Sequence, residues 1–306
     1  MKIAVLGTGG VGGYFGGRLA ASGSDVTFVA RGAHLEAIRK NGLRVISPRG
    51  DMHLQNANVV DDIAKVGAVD LVIVAVKLWD TEKVAPTLKP LVDQGAAIVS
   101  FQNGVHKDEI LRKHLPAKSL IGGVGYIAAV ISEPGVVTHS GQMQGLTFGE
   151  YDGTKSARVQ ALFEACQKGG IDAQVSDAIE RVIWEKFVFL VGLSGTTATI
   201  RRPIGEIREN PQTRAFLLNV MREVVEIGRA KGVPLAADFA ENRLAFCDTL
   251  PATMTASMAH DLERGNRLEL PWLSGGVAEF GQSLGIATPF NQAISDILAI
   301  YAPGKR

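Results

Sequence analysis

The chain has 306 residues, 46% hydrophobic and 21% charged, with a formal net charge of +1. This is an ordinary globular composition, long enough for two domains, and it speaks against a nucleic-acid or membrane-surface partner. Cys166 and Cys247 lie far apart without CxxC spacing, which argues against a disulfide framework or zinc site and suits a reducing cytosol. A strand beginning at residue 2 leaves no room for a signal peptide, and no apolar run is long enough to span a bilayer, so a cytoplasmic location is expected.

Ile3–Leu6 is a continuous apolar run, the pattern of a strand buried on both faces. It leads into Gly7-Thr8-Gly9-Gly10-Val11-Gly12, and a helical pattern follows with Val11, Tyr14, Phe15 and Leu19 on one side. In that setting Gly7 permits a tight turn, Gly9 lets backbone approach a pyrophosphate, and Gly12 lets the helix pack on the strand. The amides opening the helix face the phosphates, where the dipole favours negative charge. The alternative is a glycine-rich βα turn with no ligand.

Residues 25–30 read as the second strand, and Arg31 follows, nineteen positions after Gly12. An acidic residue there suits the ribose hydroxyl of NAD; an arginine suits the 2′-phosphate of NADP, or simply ends a strand in solvent. A helix is expected over 33–40, short antiparallel strands over 41–60, and a buried strand over 70–77 with Lys77 at its carboxyl end. Lys77 then meets a cofactor or is a solvated strand cap. A helix over 80–94 is limited by Pro86 and Pro90. The strand over 95–100 leads to Asn103-Gly104, which is either a plain turn or an amide placed over nicotinamide and substrate.

Short β pieces with many glycines are expected over 118–150, a helix over 155–168 and a last strand over 171–175. From about residue 178 long helical patterns take over: 178–199, 211–231, 236–248, 253–265, 271–284 and 290–301. The expected architecture is α/β: an N-terminal Rossmann dinucleotide-binding domain, 1–177, then an all-helical C-terminal domain, 178–306, with substrate in the cleft between them. His34, His53, His106, His114 and His139 show no ligand spacing with carboxylates or cysteines, so no metal is expected. Ser257, His260 and Asp261 lie on one short helical stretch, which does not give the relay of a hydrolase triad.

Val76-Lys77-x-Trp79, Gln102-Asn103-Gly104, Trp184-Glu185-Lys186, Pro203-x-Gly205-Glu206, and Ser257-Met258-x-x-Asp261 with Glu269 eight residues beyond, taken with the glycine motif, resemble the ketopantoate reductase (2-dehydropantoate 2-reductase) family over nearly the whole chain. The resemblance implies NADPH-dependent reduction of a 2-oxo acid to a 2-hydroxy acid, foremost 2-dehydropantoate to pantoate in pantothenate and coenzyme A biosynthesis. It implies Lys186 as the catalytic lysine, Glu269 as the carboxylate that binds the substrate hydroxyl and orients the lysine, and Asn103 meeting cofactor and substrate. It implies Ser257 on the substrate carboxylate, Arg31 and Lys77 at the cofactor, and Ala128 as a backbone contact near the nicotinamide. Read without it, Lys186 is one helix lysine among many, Ser257 a helix cap and Glu269 a surface charge.

Family members described in detail carry asparagines four and eight residues after the lysine and in the Pro-Asn-Gly-Glu segment; here Leu190, Ser194 and Ile204 stand in those places. Ser194 keeps a hydroxyl toward the substrate. Losing two amides relaxes or redirects the choice of substrate, because unpaired polar groups in a pocket are costly. A more apolar 2-oxo acid, or a non-catalytic NADP-binding sensor, are the alternatives. A homodimer through the helical half stays open, with no surface marked for it.

Overall fold

The computed structural model describes residues 1–305 and divides into two compact units. One comprises Met1–Asn103 and Lys107–Val182; the other comprises Gly104–His106 and the chain from Ile183 onward.

The first unit is built on β1 (Lys2–Leu6), α1 (Gly10–Ala21), β2 (Asp25–Val29) and α2 (Gly32–Asn41). Then come β3 (Leu43–Ile46), β4 (Met52–Leu54), β5 (Asn58–Val60) and β6 (Leu71–Val74). A broken helical stretch follows: α3 (Leu78–Val84), a 3-10 turn at Ala85–Leu88 and α4 (Lys89–Asp93). The break falls at Pro86, which has no amide to donate to the helical ladder. β7 (Ala97–Ser100) and α5 (His106–His114) lead to a hairpin of two long strands, β8 (Leu120–Glu133) and β9 (Val136–Gly149). α6 (Ala157–Lys168) and β10 (Asp172–Val175) complete the unit.

The sheet order is β4-β3-β9-β8-β7-β6-β1-β2-β5, with β10 also on β9. β5, β2, β1, β6, β7 and the start of β8 run parallel. β1 lies inside the parallel run, between β6 and β2, and is buried on both sides. Ile3 and Val5 pack with Tyr14, Phe15 and Phe28 on one face; Ala4 and Leu6 pack with Val72, Val74 and Leu88 on the other. This is why the run carries no alternation of polar residues.

Three local expectations need correction. β3 and β4 pair antiparallel as expected, but β5 joins the parallel sheet beside β2. Residues 118–150 form two strands of 14 residues each, not short pieces. β6 stops at Val74, so Lys77 lies beyond the strand and caps α3.

The second unit is helical. α7 (Ile179–Ile200) enters it, followed by α8 (Ile204–Glu209), α9 (Pro211–Ala230), α10 (Phe239–Thr249), α11 (Ser257–Arg264), a 3-10 turn at Leu270–Trp272, α12 (Ser274–Leu284) and α13 (Pro289–Leu298). Asn210 caps α9 by accepting from the amides of Gln212 and Thr213 at 3.0 and 3.1 Å, with Pro211 opening the helix. Leu217, Val220, Met221 and Val224 give α9 a buried stripe at helical spacing. No helix is long and apolar enough to cross a membrane among the described residues.

A carboxylate inside this unit caps another helix from the side. Glu223 on α9 accepts from the amides of Phe290 and Asn291 at 2.8 and 2.9 Å, and from the Asn291 side chain at 2.7 Å. Burial holds its carboxyl above the usual carboxylate range, and those donors offset only part of that rise. Replacing Glu223 with alanine leaves the first amides of α13 buried without an acceptor. We expect Glu223→Ala to destabilise by about 1–3 kcal/mol. Thermal or urea unfolding reads this directly; an unchanged midpoint would contradict the capping role.

Candidate active site

The glycine turn hangs from a single carbonyl. The amides of Gly7 and Thr8 both donate to the Val29 oxygen at 3.2 Å, and the Thr8 hydroxyl donates to it at 3.0 Å. The end of β1 is thereby tied to the end of β2. Gly7 has φ +98°, and a Cβ there would lie 2.7 Å from the Val76 nitrogen, so only glycine fits. A Cβ on Gly12 would fall on the Gly7 carbonyl and within 2.9 Å of Val5 Cγ1, which forces a bare backbone where α1 crosses β1.

Gly9 is different: a Cβ there would meet nothing within 4 Å. The side that this glycine leaves bare is open, at the cap of a helix with no side-chain cap and no acidic residue in its first turn. Gly10 packs its Cα under the Ala129 carbonyl of β8, which brings exposed Ala128 close to the start of α1. The turn therefore offers unshielded helix amides beside open space, which fits a pyrophosphate. Thr8 is buried and its hydroxyl is spent on Val29. Thr8 shapes the turn rather than presenting a side chain, while Val11 is half-buried.

β2 and β6 flank β1, so the residues after them border the turn. Arg31, exposed, is the residue before α2. Lys77, exposed, precedes α3 with its ammonium 5.6 Å from the Trp79 ring centre. Between them stands a residue that sequence reasoning missed. Asp80, in the first turn of α3, accepts from Arg31 Nη2 at 3.1 Å. Gln102 was also missed as a support. Its amide donates to the Val76 carbonyl at 2.8 Å and to the Thr81 hydroxyl at 2.7 Å, fixing both sides of Lys77 and leaving Asn103, half-buried, as the next residue.

The helical unit positions the other set. Trp184 is buried edge-on to Phe187, 5.6 Å between ring centres, and packs on Gly228 of α9. That anchor sets the rotation of α7 and so the direction of Lys186, which is half-buried. Leu190 and Ser194 follow on the same stripe at i+4 and i+8. Leu190 is half-buried; Ser194 is wholly enclosed, and its hydroxyl has no hydrogen-bond partner among the described residues.

Ser257 opens α11, exposed, with no side-chain cap formed at that terminus. The preceding residue, Ala256, donates to the Thr197 hydroxyl on α7 at 3.4 Å, tying this helix start to the lysine helix. The Ile204 and Gly205 amides hold the same loop through the Met254 and Ala252 carbonyls, both at 2.9 Å. A Cβ on Gly205 would lie 2.7 Å from Ala252, which accounts for the glycine of the Pro203-x-Gly205-Glu206 segment. Ile204 is fully buried and packs as core.

Asp261 steers the chain onward: its carboxylate accepts from the Asn266 side chain at 3.0 Å, at the turn that leads to Glu269. Glu269 is buried, one residue before the 3-10 turn. A cavity of about 320 Å³ in this unit is lined by Thr197, Arg201, Arg202, Thr255 and Glu263 among others, and includes none of Lys186, Ser257 or Glu269. The two thiols are poor nucleophiles, since burial pushes Cys166 up to about 12 and Cys247 up to about 11.

Comparison with known proteins adds the family. Residues 3–153 match the family described as "Ketopantoate reductase PanE/ApbA", and residues 178–302 match "Ketopantoate reductase PanE/ApbA C terminal". The chain is 33% identical to a 2-dehydropantoate 2-reductase of Halobacterium salinarum, over 98% of each chain. It is 30% identical to an uncharacterized oxidoreductase, YkpB, of Bacillus subtilis, over 100% of each. Among solved structures, a 2-dehydropantoate 2-reductase from Geobacter metallireducens superposes with a TM-score of 0.89 at 30% identity, covering 98% of this chain and 99% of the other.

The glycines make separable predictions. Gly9→Val places a side chain in open space, so it leaves the unfolding free energy within about 0.5 kcal/mol of the parent while weakening dinucleotide binding. Gly12→Ala forces a methyl into backbone and destabilises by about 1–3 kcal/mol. Thermal unfolding paired with cofactor fluorescence titration distinguishes the two. Equal destabilisation, or tight binding to Gly9→Val, would contradict the assignment of the open side to the ligand.

Proposed function

The chain belongs to the ketopantoate reductase family, and on that basis we propose that it is an NADPH-dependent oxidoreductase that reduces a 2-oxo acid to the 2-hydroxy acid, with 2-dehydropantoate as the leading substrate. The observation that supports this most is the glycine turn. Its one unobstructed glycine sits at an uncapped helix start, with Arg31 and Lys77 following the two flanking strands.

On the turn that Gly7 and Thr8 shape, the backbone at Gly9, Gly10, Val11 and Gly12 would hold the pyrophosphate, Arg31 the 2′-phosphate, and Lys77, Asn103 and the Ala128 backbone the rest of the dinucleotide. Bound there, the reduced dinucleotide supplies a hydride. The chain's own residues handle charge and proton. Negative charge grows on the keto oxygen during reduction; the Lys186 ammonium stabilises it and delivers a proton to that oxygen, then regains one from water.

The carboxylate of the substrate falls to the Ser257 hydroxyl and the positive end of α11. Glu269 accepts from the substrate hydroxyl and orients Lys186, and Asn103 steadies the keto group.

A second reading concerns the substrate. Leu190 is half-buried one turn beyond Lys186, which favours a bulkier or more apolar 2-oxo acid than ketopantoate.

Two measurements test these readings. Lys186→Ala should lower kcat by about 10²–10⁴-fold with the NADPH dissociation constant nearly unchanged; undiminished turnover would overturn the catalytic role. Leu190→Asn should shift the kcat/KM ratio toward ketopantoate, against an unbranched apolar 2-oxo acid, by roughly tenfold. A ratio that does not move would remove Leu190 from substrate choice.

A further inference from the structure

The ribose end of the proposed cofactor site carries two opposed determinants. In this class of fold the residue after the second strand sets the choice of dinucleotide: an acid accepts from the 2′-hydroxyl of NAD, and an arginine receives the 2′-phosphate of NADP. Here the strand supplies Arg31, but α3 supplies a carboxylate to the same place. Arg31 Nη2 donates to Asp80 Oδ2 at 3.1 Å, and the side chains are 61% and 28% exposed. Because β1 lies between β2 and β6, a bridge from Arg31, two residues past β2, to the helix after β6 crosses the carboxyl end of β1, where the glycine turn stands.

Asp80 is held in place. It occupies the first turn of α3, where the helix dipole favours a negative charge, and its amide donates to the Lys77 carbonyl at 2.9 Å. On the opposite side of that helix turn the Thr81 hydroxyl accepts from Gln102.

We infer that Asp80 is a specificity-determining residue for the cofactor: it competes with the 2′-phosphate for Arg31 and offers an acceptor to the 2′-hydroxyl, so that the chain discriminates weakly between NADPH and NADH. This rests on the proposed dinucleotide site and on Arg31 as its 2′-phosphate contact. With NADPH, the phosphate must displace the carboxylate from Arg31 and then sit beside its charge. With NADH no phosphate competes, the Arg31–Asp80 pair persists, and the second oxygen of Asp80 accepts from the hydroxyl. The pair is exposed, so the effect is moderate.

The test measures dissociation constants for NADPH and NADH by fluorescence titration on the full chain, for the parent, Asp80→Asn, Arg31→Ala and the double variant, with thermal unfolding as a check on the fold. Asp80→Asn is expected to tighten NADPH about fivefold, the factor that corresponds to releasing an exposed ion pair, and to weaken NADH by a similar factor. Asp80→Asn with both constants unchanged, or with weaker NADPH, would overturn the role of Asp80 while leaving the dinucleotide site standing. Arg31→Ala is expected to weaken NADPH more than NADH. If it instead leaves the ratio of the two constants unchanged, the 2′-phosphate contact itself fails, and the role of Asp80 falls with it. In the double variant the Asp80→Asn gain for NADPH should shrink; a gain that persists in full would show that the carboxylate does not act through Arg31.

Discussion

Three donors converge on the carbonyl of Val29: two backbone amides and the hydroxyl of Thr8. This knot decides where everything in the first unit points. It bends the chain sharply after β1, which requires the positive φ that Gly7 supplies. It aims the start of α1 at the open side of Gly9, and it sets the end of β2, two residues before Arg31. A threonine hydroxyl that could have faced a ligand is used instead to close the turn. What the turn offers an anion is backbone amides, which carry no side-chain entropy to lose.

The same economy of side chains recurs along α1. Gly12, Gly13, Gly16 and Gly17 are buried in one helix, and their hydrogens lie against Val5, Val137, Phe28 and Met52. Glycine weakens a helix in isolation. Close packing on strands from two parts of the sheet offsets that weakness, and it fixes the height of the helix start above the sheet. In the helical unit the corresponding anchor is aromatic. Trp184 sets the rotation of α7, so one buried ring positions the lysine two residues later. Around it, backbone pairing of 252–254 with the start of α8 shapes the loop that leads to Ser257, and the Asp261–Asn266 contact the loop that leads to Glu269.

What could be read from sequence was local. The strand, the three spaced glycines and the following helix lie within about twenty residues, and each is a response to near neighbours. β1, β6 and β7 were legible because burial on two faces removes their polar alternation; β5, half-exposed at the sheet edge, gave no such sign and read as antiparallel. The β8–β9 hairpin was not legible, because Gly122, Gly123 and Gly149 interrupt its pattern. Those glycines answer to distant residues: Ile179, Val99 and Ser176. α5 escaped notice for the opposite reason: its sequence is so polar that no apolar stripe shows. Acids in its first turn and bases in its last were the signal available. Lys186 and Glu269 were reached through family resemblance; neither periodicity nor spacing distinguishes them from ordinary helix and loop charges. The Arg31–Asp80 contact spans 49 positions and depends on the order of β6, β1 and β2, which no local pattern encodes.

In the proposed reaction a hydride passes from a nicotinamide to the keto carbon of a 2-oxo acid. Turnover of 2-dehydropantoate with NADPH carrying deuterium at the transferable position, followed by mass spectrometry of the product, tests that transfer directly. One deuterium is expected at carbon 2 of the hydroxy acid, retained after exchange in ordinary water. A product without label, or NADPH consumed with no hydroxy acid formed from this or other 2-oxo acids, would contradict it.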